Sequence, residues 1–238
     1  MKNQNKNTEK SYARKLISID SDFTEVENAK YFEIYRKTIF KYKTGKVLDL
    51  GCGTGIHSKN LSKNGFEMYA SDLSVDVIMK ARKKHAGKKI KFLVSDAEKI
   101  PFDAGTFDYV FCGAVLHHLP DRNRTIKEIR RVLKTGGKVF SFDPNRRNPY
   151  TFLCQNILNK VFDVVGLSKN ETSLSPEILM KEFSREGFSK FSFHTTTMFS
   201  KRDKGIISKI RPFIVKLQSK TLPQPMADNM IIMDCEKM

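Results

Sequence analysis

The 238-residue sequence contains no apolar run approaching the ~18 residues of a membrane-spanning helix. Its opening stretch, MKNQNKNTEKSYARK, is polar throughout and offers no apolar segment for export, so the expectation is a cytoplasmic protein. Close cysteine pairs are also missing. Cys52, Cys112, Cys154 and Cys235 lie far apart, without the short spacing of a zinc site, and read as free, reduced thiols. Internal repeats, low-complexity tracts and long linkers are absent. Acids are scarce: 26 against 43 lysines and arginines, for a net charge of +17.

That charge raises the classes of nucleic acid, anionic membrane and acidic substrate. The excess is spread along the chain: 11 basic and 6 acidic residues in 1–46, 19 and 11 in 47–150, 13 and 9 in 151–238. One run, KARKKHAGKKIK from Lys80 to Lys91, holds seven basic residues and no acid. Lysines outnumber arginines 31 to 12, whereas arginine is the residue that reads phosphates and guanine edges. The run lacks aromatic interleaving and reads as a solvated helix face, with an anion-binding patch as the alternative.

Hydrophobic periodicity organises the rest. Residues 25–42 place Val26, Ala29, Phe32, Ile34, Ile39 and Phe40 at helical spacing, which predicts an amphipathic helix. KVLDL then reads as a buried strand, followed by a glycine turn and a helix ending at Gly65. FEMYASDL, KIKFLVSDA, TFDYVFCGAVL and KVFSFDPN are further strands. Between them lie a helix capped by Ser74 and a helix over DRNRTIKEIRRVLKTGG with a glycine stop. Strands alternating with helices predict a doubly wound α/β sheet, Rossmann-like, with ligands at the carboxyl ends of its strands. After Asn145 the pattern loosens into short helices. SPEILMKEFSREG is a well-marked helix, and FSKFSFHTTTMF and MADNMIIMDCEK are the last two strands. Between those strands, GIISKIRPFIVKLQSK is basic and amphipathic, and Pro212 should kink it or split it in two.

The glycine turn is the first chemical signal. VLDLGCGTG sets Gly51, Gly53 and Gly55 at alternate positions, with Asp49 two residues ahead. Glycine suits a positive φ or the close approach of a ligand. A dinucleotide turn would read G-x-G-x-x-G or A, but the sixth position here is Ile56, bulky and branched. Asp49 would repel a pyrophosphate and attract a cation. Both departures argue for a nucleoside ligand that carries positive charge.

VLDLGCGTG resembles motif I of the class I S-adenosylmethionine-dependent methyltransferases, and later segments agree in order and spacing. ASDLS puts Asp72 and Leu73 where that family grips the adenosine ribose. VSDAEKIPF puts Asp96 and Ala97 at its adenine position. FDYVFCGAVLHHLPD, which includes Cys112, matches the fourth-strand motif, and RVLKTGGKVFSFDPN the helix, turn and strand that follow. The resemblance covers about residues 40–145 and leans toward the small-molecule branch acting on quinone precursors, sterols and other metabolites. It implies a mostly parallel seven-stranded sheet with an antiparallel last strand and S-adenosyl-L-methionine as cofactor. The implied cofactor-binding residues are Asp49, Gly51, Cys52, Gly53, Gly55, Asp72, Leu73, Asp96, Ala97 and Cys112. One domain is expected: an N-terminal helical lid over 1–45, a cofactor-binding core over 46–145, and acceptor-side helices with the last two strands over 146–238.

Methyl transfer needs alignment first, and a general base only if the acceptor must lose a proton. His118 and His117 follow the fourth strand and are the candidates for catalysis; the alternative is a helix cap and a packed ring. His57 opens the helix after the glycine turn and reads as shaping the methionine end of the site. His194 alternates within a strand and reads as structural. Tyr12, Tyr31 and Tyr35 precede the core as candidate lid contacts, and Asp108 and Asp143 flank strands. No metal is expected. Two alternatives stay beside this reading. An oxidoreductase or sugar-nucleotide enzyme is opposed by the glycine register and Asp49. A nucleic-acid methyltransferase would use the basic surface. The Asn/Asp-Pro-Pro-aromatic motif of amino-methylating enzymes is replaced here by CGAVLHH, and no Pro-Cys nucleophile is visible. Residues 205–220 carry two readings: a helix covering the acceptor pocket, or a membrane-surface helix serving a lipid-linked acceptor.

Overall fold

The structure is a computed structural model. It describes residues 6–8, 10–11, 32–36, 38–119, 121–158, 171–197 and 206–238, the side chains of 158, 206–212 and 215 excepted. Tyr12, Tyr31 and the first part of the predicted N-terminal helix lie outside these residues.

Residues 32–36 are helical, but that helix does not continue to Tyr42. Thr38 leaves helical geometry (φ −117°, ψ −93°), and a separate 3-10 turn follows over Ile39–Lys41. Its hydroxyl donates to the Ile34 carbonyl at 2.8 Å, a local bond that competes with continued helix.

The core is a seven-stranded sheet. Strands β1 (Gly45–Leu50), β2 (Phe66–Asp72), β3 (Ile90–Val94), β4 (Phe107–Gly113) and β5 (Leu133–Pro144) are parallel. β6 (Phe188–Thr196) pairs antiparallel with β7 (Met230–Lys237), which inserts antiparallel beside β5. The order is β3-β2-β1-β4-β5-β7-β6, so strand order reverses between β1 and β4. The predicted sheet, mostly parallel with an antiparallel last strand, is the one observed, β7 being that strand.

Helices follow the strands: α1 (Ile56–Ser62), α2 (Val75–Lys84), α3 (Arg122–Val132), α4 (Pro149–Phe152, continuing into a π-helix at Leu153–Leu158), α5 (Pro176–Arg185), α6 (Ile206–Thr221) and α7 (Gln224–Ala227). Ser74 caps α2 and Ser175 caps α5, each hydroxyl accepting a backbone N–H three residues on. α3 ends earlier than its sequence suggests. Leu133 is extended (ψ 142°) and buried, and it pairs with Phe107 of β4, so sheet pairing takes LKTGG from the helix. α6 runs unbroken through Pro212 and is not split in two. A proline removes one donor from a helix, and the remaining ladder holds on either side.

Alternation along the strands builds both faces. Leu48, Leu50, Val110, Val139 and Met233 face α3 and α5, whose Ile126, Ile129, Leu179 and Phe183 are fully buried against them. Val47, Phe111, Phe140 and Phe142 face the other way, onto Leu61 of α1 and onto Ile34, Tyr35 and Ile39. Asp49 shares that second face with Val47. The parallel strands therefore end together at one edge, where the site lies.

Candidate active site

The glycine turn leaves β1 at the point where strand order reverses. Gly51 has φ +70°, and a Cβ there would lie 2.5 Å from Val115 Cγ2. Gly55, at φ +80°, is closed in by the rings of His85 and Phe92 at 2.9 Å. Gly53 differs. Its φ is +53°, yet nothing lies within 4 Å of where its Cβ would be. The outer glycines thus answer to packing, and the middle one faces open space, as a ligand cradle requires.

Asp49 is fully buried beneath this turn. Its Oδ2 accepts from Ser58 Oγ of α1 at 2.5 Å, while Oδ1 is buried with no hydrogen-bond partner. Burial pushes its carboxyl up to about 7, against the opposing bonds from Ser58. Such a group gains from a cation placed near it and would be opposed by a phosphate. The residues present therefore fit a positively charged nucleoside cofactor.

Asp72 ends β2 and braces the turn. Its Oδ2 accepts from Gly53 N at 3.0 Å and its Oδ1 from Ser74 N at 2.9 Å. Burial raises its pKa, partly offset by these backbone donors. Each oxygen keeps capacity for a second bond, as a ribose diol would need. Leu73 beside it is half-buried. Cys52 packs its thiol with Ala70 and Ile78, and its N donates to the Ser71 carbonyl at 2.8 Å.

Asp96 follows β3, with Ala97 half-buried next to it. Its Oδ1 accepts from Glu98 N at 2.9 Å, and its Oδ2 lies 2.5 Å from Lys6 Nζ. Cys112 lies within β4, its thiol fully buried in the core cluster and pushed well above its ordinary pKa by that burial. All four cysteines are free.

After β4 the chain turns sharply. Ala114 takes φ +58°, rare for a residue with a side chain. The turn throws Leu116–His118 into a 3-10 turn at the sheet edge. His117 is buried, and Asp143 of β5 lies 2.9 Å from its Nδ1 and accepts from its backbone N at 3.2 Å. Burial holds the imidazole well below its usual pKa and pushes Asp143 up to about 8, so both shifts favour the uncharged forms. The ring of His118 lies 4.1 Å from that of His117 and is half-buried. Its Nδ1 is 3.6 Å from Oε1 of Glu171, which is buried and accepts from Gln155 Nε2 at 3.3 Å. Residues 171–174 are tied across this edge: Thr172 N donates to the His117 carbonyl and Leu174 N to the Pro144 carbonyl.

The other candidates separate. His57 is buried between Phe111 and Phe142, with its Nδ1 on Tyr35 Oη, and burial lowers its pKa to about 3. Tyr35 is therefore a core residue that ties the N-terminal segment to α1. Asp108 sits at the opposite edge of the sheet, where it accepts from Lys46 N and pairs with Lys134. His194 is exposed on β6, 3.2 Å from Ser192 Oγ. Sequence reasoning missed Glu171 and Lys6, both in segments without periodicity.

Comparison with known proteins agrees with this geometry. Residues 48–141 match the family described as "Methyltransferase domain". A ubiquinone biosynthesis O-methyltransferase of Coxiella burnetii is 39% identical over 103 residues, covering 42% of this chain and 44% of that protein. A demethylmenaquinone methyltransferase of Staphylococcus aureus is 31% identical over 153 residues, covering 60% and 64%. The chain thus spans less than half the length of the first of these relatives. Solved S-adenosylmethionine-dependent methyltransferases share the fold. One from Mesorhizobium loti has a TM-score of 0.65 at 14% identity over 88% of this chain and 98% of that one. One from Methanosarcina mazei has 0.64 at 17%, over 92% and 99%. Over residues 48–141 the chain matches a methyltransferase domain, and its fold is that of these solved structures.

Proposed function

We propose that the protein binds S-adenosylmethionine at the carboxyl ends of β1–β3 and transfers its methyl group to a small molecule entering beside β4 and β5. The observation that carries this reading is the buried, unpartnered Asp49 Oδ1 beneath the open space at Gly53. When bound, the cofactor supplies an electrophilic methyl group on a positively charged sulfur. Asp49 holds that charge near the turn. Asp72 accepts from the ribose hydroxyls while keeping the turn braced, and Asp96 accepts from the adenine amine, with Ala97 beside the ring. Leu73 and Cys52 shape the walls rather than react, and Cys112 packs in the core behind them.

His118 is the group to take a proton from an acceptor that must lose one, with Glu171 orienting its ring. His117 acts through Asp143 and His118, as a positioning residue. The segments over 1–45 and 146–238 supply the lid and the acceptor side.

For the acceptor we infer a hydrophobic, quinone-like molecule. Both named relatives act in quinone biosynthesis by their names. Phe213 and Leu217 on α6 are 70% and 51% exposed, beside exposed Lys216 and Lys220. That face supports membrane-surface contact over pocket cover. No helix among the described residues is long and apolar enough to cross a membrane. Methyl transfer to a panel of prenylated phenols, with and without anionic vesicles, tests this. Turnover that rises with prenyl length and with anionic vesicles is expected. Equal turnover on soluble phenols, with no vesicle effect, would return α6 to the pocket-cover reading.

A further inference from the structure

Among the described residues, one group of side chains has the chemistry and closeness of a metal site. His117, His118 and Glu171 each offer one donor atom, and these atoms all lie within 4.8 Å of one another. Two imidazoles and a carboxylate suit a divalent transition metal rather than magnesium or calcium, which take oxygen donors. The surroundings match as well. Asp143 lies 2.9 Å from Nδ1 of His117, the carboxylate–histidine contact that orients a coordinating ring. With Nδ1 so engaged, Nε2 is the atom His117 has to offer an ion. Glu171 is held by Gln155 Nε2 at 3.3 Å, and the peptide after it is tied by Thr172 N to the His117 carbonyl at 3.1 Å.

We propose that His117, His118 and Glu171 bind one divalent transition-metal ion at the acceptor end of the site. A drawing-in of the three donors by about a side-chain adjustment completes the set, since zinc-ligand bonds of ~2.0–2.2 Å place ligand atoms ~3–3.6 Å apart in a tetrahedral shell. Three protein ligands leave coordination open toward the cleft, as in catalytic rather than structural sites. The open position suits an acceptor with an oxygen donor, such as a phenolate. With the ion bound, His118 is a ligand and not a base. The inference rests on the proposed function and gives His118 a ligand's role in place of the base's.

The test is titration of chelator-treated full-length protein with Co²⁺, read by its visible absorption, with Zn²⁺ as competitor. One equivalent bound, displaced by Zn²⁺, is expected. Glu171→Gln and His118→Ala should lose the visible bands. Asp143→Asn should weaken binding ~10–100-fold, the usual effect of a partner behind a ligand. Circular dichroism of each variant shows whether it is folded. No stoichiometric binding by the wild type, or unchanged bands in folded Glu171→Gln, overturns the proposal. Calorimetry with S-adenosylmethionine on the same chelated protein reports separately on the methyltransferase reading, because Asp49, Asp72 and Asp96 belong to other strands.

Discussion

Lys6 Nζ lies 2.5 Å from Asp96 Oδ2, so the N-terminal segment reaches the acid assigned to the adenine amine. The same ammonium is 3.1 Å from Glu98 Oε2. An ammonium and an adenine amine are both donors and compete for the same oxygen. Lys6 is partly exposed, so the bridge itself contributes at most ~1 kcal/mol. Lys6→Ala should therefore tighten cofactor binding by no more than about fivefold, measured by calorimetry. Weaker binding in that variant would make Lys6 a clamp on the bound cofactor instead.

The acid beneath the glycine turn sets a pH dependence. Asp49 has an ordinary pKa of 3.8 and is pushed up to about 7 by burial. Between those values the folded chain holds a proton that the unfolded chain has lost. Its contribution to stability is therefore lost as pH rises through that window, and a bound cation offsets the loss. Affinity for S-adenosylmethionine should rise as pH passes through about 7 and level off above it. In Asp49→Asn it should be weaker and insensitive to pH there. Binding curves that coincide for the two proteins at every pH would remove Asp49 from the site.

Tyr35 and His57 close a buried hydrogen bond between the N-terminal segment and α1. Tyr35→Phe keeps the ring contacts with Phe40 and Phe111 and removes only the hydroxyl. The expected loss is ~0.5–1.5 kcal/mol in urea unfolding. Stability equal to the wild type would show that this bond contributes nothing net.

Much of this was legible in the sequence because it rests on local patterns. The apolar runs in KVLDL and KVFSFDPN mark strands, and glycine and acid positions mark the ends of β1, β2 and β3. The motif marks Asp72 as a candidate ligand acid, but its bonds to Gly53 N and Ser74 N depend on how the turn curls back and are not legible in it. Glu171 escaped because a buried carboxylate in an unpatterned segment resembles any loop acid. LKTGG carries a helix-stop signal that places Leu133 in a helix, and sheet pairing with Phe107 outweighs it. The exposure of Phe213 and Leu217 also lay beyond reach: periodicity shows that residues share a face, not which way that face looks.

His118 follows β4 in the 3-10 turn and is the residue proposed to face the acceptor. His118→Ala should lower turnover by ~10²-fold or more while cofactor affinity stays within about twofold. Glu171→Gln should lower turnover less, through the ring it orients. Full turnover in His118→Ala on a productive acceptor would leave the imidazole with a packing role only.

In the proposed function the acids at the ends of β1, β2 and β3 hold S-adenosylmethionine. Calorimetry of the full chain with S-adenosylmethionine, beside Asp72→Ala, tests it most directly. Saturable one-to-one binding by the wild type is expected, with affinity at least about tenfold weaker in the variant, from the ~1.5–3 kcal/mol of a charge-assisted bond. No heat from folded wild-type protein, or equal affinity in the variant, would contradict it.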